Sequence, residues 1–341
     1  MTHDQPITIC MVLASRGFGG LEKHFVELCN GLAARHRVVA VGDREFAEQL
    51  DPKVVFEPLD ISRSRHHPLL TLALRRILKR HKPHVVHSHA NKAATIVKRA
   101  SIFLSCRRVA TIHNLKTATR MFKGFDRVIA VSRGVAERVN GSPVTVVYNG
   151  IDPPQFVRNQ QHVPPQGVVA PYVAAVGRLV SAKGFDVLIE AWKGVPAKLV
   201  IAGEGPQRTL LEELIKKYRL HETVQLLGHC SRVPELLAAA EFTVVSSRHE
   251  GFGYVCVESL YARTPVVSTR IPVANEILPA HWLATPENAD ELRELILAAV
   301  RDPQGHQRDM EPAYDFARQN FTRERMVEHT EAVYRSVLRG E

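Results

Sequence analysis

Residues 172–184 read YVAAVGRLVSAKG, a short run of β-branched and small apolar residues that stops at one glycine and passes two cations on its way to another. A strand that opens into a glycine-bounded loop and then a helix is the repeating unit of a parallel α/β sheet. Ligands bind such sheets at the carboxyl ends of the strands, so the loop from Gly177 to Gly184 is where chemistry is expected. Arg178 can fork onto two oxygens and Lys183 supplies a point charge, a pair suited to a diphosphate. No Walker A sequence is present. A solvated surface loop is the plain alternative for this segment alone.

The same rhythm extends in both directions. Upstream, strands are predicted at Ile7 to Leu13, Val38 to Val41, Val54 to Phe56, Val85 to His87, Val109 to Ile112, Val128 to Val131 and Val144 to Val147, with helices between most of them. Downstream they fall at Tyr172 to Val176, Leu199 to Ala202, Val224 to Leu226, Phe242 to Val245 and Pro265 to Ser268. Between the two series, residues 152–171 hold five prolines and little apolar periodicity, which marks a linker. With 341 residues, two doubly wound domains are expected: 1–155, a linker at 156–170, and 171–320. Residues 321–341 read as a closing helix with Thr322 as its N-cap and Met326, Val327, Thr330, Tyr334, Val337 and Leu338 at helical spacing.

Three more strand ends carry polar motifs. Ser15-Arg16-Gly17-Phe18-Gly19-Gly20 precedes a helix near Leu21, where free N–H groups favour a phosphate. A nicotinamide fingerprint would need a glycine at position 22 and finds Glu22, so Asp43 is a weak candidate for a ribose acid. Gly203-Glu204-Gly205-Pro206 is a tight turn leading into a helix. After the fourth downstream strand comes Ser246-Ser247-Arg248-His249-Glu250-Gly251-Phe252-Gly253, with Glu258 eight positions beyond Glu250. A helix beginning near Gly253 would aim its N-terminus at the same diphosphate, with Glu250 before it and Glu258 inside it.

The bulk composition excludes several classes. With 45% hydrophobic and 23% charged residues the chain reads as a folded, soluble protein, and no run of 18 apolar residues spans a bilayer. The N-terminus lacks the basic region and cleavage site of a secretory signal. Cys10, Cys29, Cys106, Cys230 and Cys256 are odd in number and scattered, as reduced thiols of a cytoplasmic protein would be. The formal charge of +10 is uneven: residues 61–140 carry 18 Lys/Arg against Asp126 and Glu137, a net +16, leaving −6 for the rest. Arg63, Arg65, Arg75, Arg76, Lys79, Arg80 and Lys82 straddle an apolar run from Leu69 to Leu78 that is expected to rest on anionic headgroups. Aromatics at 6% and the absence of an RNA-binding motif argue against nucleic acid as a partner.

In combination and in this order, the Gly19-Gly20 helix opening, Asn149-Gly150-Ile151-Asp152, G-R-L-x-x-x-K-G, G-x-G-P and E-G-F-G-x(4)-E resemble the retaining glycosyltransferases of the GT-B fold, family four, the group that includes lipopolysaccharide-core enzymes. The resemblance runs from Ile7 to about Leu338. It implies two Rossmann-like domains facing a cleft, with the C-terminal helix packing back on the first domain. It implies that Arg178 and Lys183 bind the donor diphosphate, that Glu258 holds the ribose and that Glu250 lies beside the donor sugar. Phe252, Gly253 and Gly177 would add sugar and phosphate contacts, Gly19 and Gly20 would close on them from the other domain, and His113 matches a cleft histidine near the transferred sugar.

The implied reaction moves a hexose or N-acetylhexosamine, most readily UDP-linked, to a glycan or glycolipid such as lipopolysaccharide core at the inner face of the cell membrane. His87-Ser88-His89 could present two imidazoles as metal ligands, but the family often carries such a pair without a metal, and no D-x-D occurs, so no metal or other cofactor is expected. His229 and Cys230 fall where the family holds the base through backbone contacts. A nucleotide-sugar epimerase on the same fold is the alternative enzyme, and a non-catalytic nucleic-acid binder the alternative outside enzymes.

Overall fold

The structure is a computed structural model that describes residues 5–17, 19–114, 119–152 and 164–341. The chain divides into two compact units, one formed by residues up to Ile151 together with Thr322–Glu341, the other by Asp152–Phe321. Phe18 and most of the expected linker lie outside the described residues.

The N-terminal unit is a seven-stranded sheet of β1 (Thr8–Leu13), β2 (Arg37–Gly42), β3 (Val55–Pro58), β4 (Val85–His89), β5 (Arg107–Ile112), β6 (Arg127–Ala130) and β7 (Val144–Val146). The order is β3-β2-β1-β4-β5-β6-β7, and every neighbour is parallel. Each strand coincides with a predicted one to within two residues at either end. β1, β2 and β4 are almost wholly buried, as strands covered on both faces must be.

Helices α1 (Gly20–Leu32), α2 (Pro68–His81) and α3 (Ala90–Ala100) lie in the first half of this unit. The expectation that the apolar run on α2 faces outward is corrected here. Leu70, Leu74, Ile77 and Leu78 are buried, because their spacing forms one stripe turned to the interior, where the helix packs against α3, and of its leucines only Leu69 and Leu72 are exposed.

The terminal helix Arg323–Arg339 packs within this unit, burying Met326, Val327, Thr330, Val333, Tyr334 and Val337. Thr322 caps it by accepting from the Arg325 amide at 3.1 Å. Its entry is tied to the end of the strand series: Arg323 N–H donates to the Ile151 carbonyl at 3.2 Å, and a Cβ on Gly150 would collide with the Thr322 backbone. Glycine is required at position 150 for that close approach.

The C-terminal unit holds β8 (Val173–Val176), β9 (Leu199–Ala202), β10 (Val224–Gly228), β11 (Thr243–Val245), β12 (Val266–Thr269) and β13 (Leu283–Ala284), again all parallel, in the order β10-β9-β8-β11-β12-β13. β13 has only two residues, too short to leave a periodic signal in the sequence. The helix after the Gly203–Pro206 turn begins at Arg208, two residues later than the proline suggests.

In both sheets the order reverses beside the first strand, between β1 and β4 and between β8 and β11. Crossovers leave in opposite directions from that point and open a crevice at the carboxyl ends. The loops after β1, β4, β8 and β11 are therefore the ones to inspect.

Candidate functional sites

After β8 the chain turns sharply at Gly177, with φ at 156°, and reaches Gly184 in a left-handed conformation at φ 65°. A side chain at 184 would run into the Ser246 carbonyl, so this glycine lets the loop lie directly against the strand end of β11. Ser246 Oγ donates to the Lys183 carbonyl at 2.9 Å and the Arg248 amide donates to Ala182 at 2.9 Å, stitching the two loops together. The turn after β9 comes equally close, since a Cβ on Gly203 would strike the Gly177 carbonyl. Three turns thus meet backbone against backbone, with the Lys183 side chain lying along Gly177.

The expected site residues of this unit come together, though not each in its own role. Lys183 Nζ forms an ion pair with Glu250 Oε1, and Ser247 Oγ donates to the same oxygen at 3.0 Å. Both side chains are mostly buried, and with Val176, Ser246, Ser247 and Gly253 they line a narrow cavity. Arg178 is exposed and has no carboxylate partner among the described residues. Gly253 is the N-cap of the helix Tyr254–Tyr261, with φ at 86°, and Glu258 lies half-buried inside that helix. Phe252 is buried edge-to-face against Phe321 at 5.3 Å, which holds the start of the helix in place. His229 is exposed after β10, and Cys230 is half-buried.

The composition of the loop after β11 does not disclose the role of Arg248. Its guanidinium forks onto Asp186 at 2.7 and 2.8 Å, reaches Glu287 at 2.9 Å and donates to the Ser181 carbonyl at 2.9 Å. These carboxylates push its pKa further up, Asp186 foremost. Arg248 therefore carries its charge inward as a clamp and leaves Arg178 as the outward cation of the loop.

The N-terminal unit assembles a different chemistry. β4 alternates so that His87 and His89 share a face, with ring centroids 4.4 Å apart. They do not act as one metal pair: Tyr334 and Thr111 occupy both nitrogens of His87, at 2.6 and 2.7 Å. His89 instead faces His113, with Nδ1 3.3 Å from Nε2, and His24 on α1 stands over both rings at centroid distances of 5.4 and 4.6 Å. His24 escapes the sequence reading, although a polar residue beside Phe25, Leu28 and Leu32 on a buried stripe is its signal.

All these imidazoles are buried. Burial lowers the His24 pKa to about 4, with the neighbouring Asn149 working the other way. Burial and the neighbouring rings hold His87, His89 and His113 well below the usual value. Among the described residues, His24, His89 and His113 form the group whose ligating atoms, all within 4.8 Å, have the spacing to hold a metal ion.

Around the loop after β1, Gly19 is the N-cap of α1 and Gly20 its first residue, with Ser15 Oγ donating to Glu22 at 2.6 Å beneath them. Asp43 is engaged by Arg16 at 2.9 Å and caps the turn that follows β2. That engagement disfavours it as a ribose ligand.

Two parallel sheets with glycine-turned crevices, one of them lined by cations and carboxylates, define the GT-B architecture of a nucleotide-sugar transferase. Residues 18–155 match Glycosyltransferase Family 4 and residues 160–315 match Glycosyl transferases group 1, and the chain belongs to these glycosyltransferases, which transfer sugar from a nucleotide sugar.

It is 29% identical over 266 residues to the lipopolysaccharide core biosynthesis glycosyltransferase LpsE of Rhizobium meliloti, covering 74% of this chain and 76% of that one. It is 27% identical to a subunit of the human phosphatidylinositol N-acetylglucosaminyltransferase, covering 96% of this chain and 75% of that protein. Among solved structures, HepE of Anabaena in complex with UDP and glucose superposes with a TM-score of 0.81 at 21% identity over 97% of this chain and all of that one. A glycosyltransferase from Rickettsia africae superposes at 0.84 with 18% identity, over 98% of this chain and 100% of its own. At those identities the superpositions establish the fold.

Proposed function

We propose that this glycosyltransferase moves a hexose or N-acetylhexosamine from a UDP-linked donor to a membrane-bound glycan such as a lipopolysaccharide core, with retention of the anomeric configuration and without a metal ion. The observation that carries the reading is Arg178, an exposed cation without a carboxylate partner among the described residues, on the same glycine-bounded loop as Lys183. Negative charge accumulates on the leaving diphosphate, so fixed cations and helix-terminal amides there favour the transition state over the ground state.

Lys183 reaches that charge by exchanging Glu250 for phosphate oxygen, which frees the Glu250 carboxylate to face a sugar ring that is becoming positive. Glu258 holds the ribose, and the amides at Phe252 and Gly253 complete the phosphate cradle. His113, kept neutral by burial, hydrogen-bonds a sugar hydroxyl without adding positive charge beside the ring. Acceptor and leaving group share one face, and the departing phosphate takes the acceptor's proton.

The names of the relatives support a carbohydrate or lipid-linked acceptor, and the UDP bound by HepE supports the base. The net +16 over residues 61–140 supports work at the anionic inner face of the cell membrane. The test is transfer and slow hydrolysis of UDP-, GDP- and ADP-sugars by purified protein, with and without EDTA, the product's anomeric proton being read by NMR. Arg178→Ala should lower kcat/KM about 10²–10³-fold, the range for removing one preorganised charge stabiliser. Full activity in that variant, or no turnover of any nucleotide sugar, overturns the assignment; loss of activity in EDTA overturns metal independence.

A further inference from the structure

Seven large apolar side chains are exposed among the described residues, and four of them gather at one corner of the N-terminal unit. Leu69 and Leu72 stand on the outer side of α2, and Ile102 and Phe103 form the turn that ends α3. Phe103 is 97% exposed. It also sits in the left-handed region, at φ 60°, which is uncommon for a residue of its bulk.

The turn is braced. Arg75 of α2 donates to the carbonyls of Ala100 at 3.0 Å and Ile102 at 2.6 Å, and the Leu104 amide closes the turn onto Ser101 at 3.0 Å. Leu72 lies one helical turn before Arg75, and Leu69 one turn before Leu72, so the guanidinium that fixes the tip also fixes its distance from the two leucines. Strain of this kind persists only where surrounding contacts enforce it, and here they present an aromatic ring to the outside.

Cations surround the corner. Arg65, Arg76, Lys79, Lys98, Arg99 and Lys123 have no carboxylate partner among the described residues; Lys98 and Arg99 instead donate to the carbonyls of Lys123 and His66. A rigid apolar tip inside a ring of unneutralised bases is complementary to an anionic bilayer, with the tip at the level of the upper acyl chains and the bases among the headgroups. A second copy of the chain would bring the same positive field against itself, which disfavours self-association through this face.

We infer that the Ile102-Phe103 turn, with Leu69 and Leu72, is the element by which this protein inserts into an anionic membrane. This rests on the reading of a membrane-bound acceptor, but it moves the contact from the apolar stripe of α2, which the core consumes, to the turn after α3.

The test uses the full chain carrying Phe103→Trp, with vesicles of phosphatidylethanolamine and phosphatidylglycerol. The native tryptophans, Trp192 and Trp282, are buried in the other unit and provide a constant background. Emission from the introduced tryptophan should shift to shorter wavelength on vesicle addition and be quenched by lipids brominated near the headgroup end of the chain. Phe103→Asn keeps a residue that tolerates the left-handed turn and should lower vesicle partitioning about tenfold, with the melting temperature and UDP binding unchanged.

Cosedimentation of Phe103→Trp without any change in its emission overturns the inference, as does undiminished partitioning of Phe103→Asn. A dimer that dissociates on Phe103→Asn would assign the corner to a second copy and overturn it equally. Turnover of UDP-sugar without insertion leaves the transferase reading standing and removes this one. Insertion without binding of any nucleotide sugar does the reverse.

Discussion

The carboxyl ends of the two sheets are built on one plan and given opposite chemistry. In the N-terminal unit the crevice beside β1 and β4 collects His24, His89 and His113, all buried and all held neutral. In the C-terminal unit the crevice beside β8 and β11 collects Arg178, Lys183, Arg248, Asp186 and Glu250, charged and largely paired. The topology places both groups, because the reversal of strand order opens a crevice wherever it falls. The difference lies in desolvation. Full burial without an opposite charge drives imidazoles to their neutral form, whereas incomplete burial with matched partners keeps ions as ions. One architecture can therefore present a surface without charge and another rich in it.

The comparison is broken most directly at Lys183 and Glu250. Lys183→Met should lower turnover about 10²–10³-fold and weaken UDP binding at least tenfold, because it removes a phosphate ligand. Glu250→Gln should lower turnover comparably but leave UDP binding equal or tighter, since Lys183 is then released from its partner. Calorimetric titration of UDP against both variants separates the two. Equal weakening would mean that the ion pair is a fixed structural unit and not an exchangeable one.

The neutral crevice predicts an acid sensitivity. His24 titrates near pH 4 when folded and near 6.5 when unfolded, so the unfolded chain binds more protons between those values and stability falls as pH drops through them. The loss is complete by about pH 4 and is of order 3 kcal/mol for His24 alone, with His87, His89 and His113 acting in the same direction. Urea midpoints measured from pH 7 to pH 4 should show this slope, and His24→Gln should flatten it. A slope unchanged by His24→Gln would locate the acid sensitivity elsewhere.

A smaller effect tests how the N-terminal unit is completed. Thr322→Ala should cost about 1 kcal/mol, the worth of an N-cap, and lower the thermal midpoint of that unit. Two calorimetric transitions would show it most clearly, the transition of the Asp152–Phe321 unit staying where it was.

Much of this arrangement is legible in the sequence, and the reasons differ by element. Twelve of the thirteen described strands can be read because each carries a short β-branched or apolar run, unbroken where the strand is covered on both faces as in β1, β2 and β4; β13 cannot, being only two residues long. The helix opening at Gly253 and the Thr322 cap are legible because backbone chemistry at helix ends is local. The outward face of α2 is not, because alternating charge and leucine on a helix does not say which leucines the interior will take. Arg248 and His24 stay hidden because an arginine clamp and a buried imidazole differ from surface residues only in what lies opposite them in space.

Sequence alone determined the parallel α/β plan, the two series of strands, the loops that bear charge and the family to which they belong. All of these depend on periodicity and on short-range spacing. Tertiary structure decided the rest: that Lys183 is joined to Glu250 across 67 positions, that His89 meets His113 across 24, and that Tyr334 returns across 247 to reach His87. Only the packed chain could settle these, since a contact between distant residues depends on strand order and on how closely glycines such as Gly150 and Gly184 let two backbones approach.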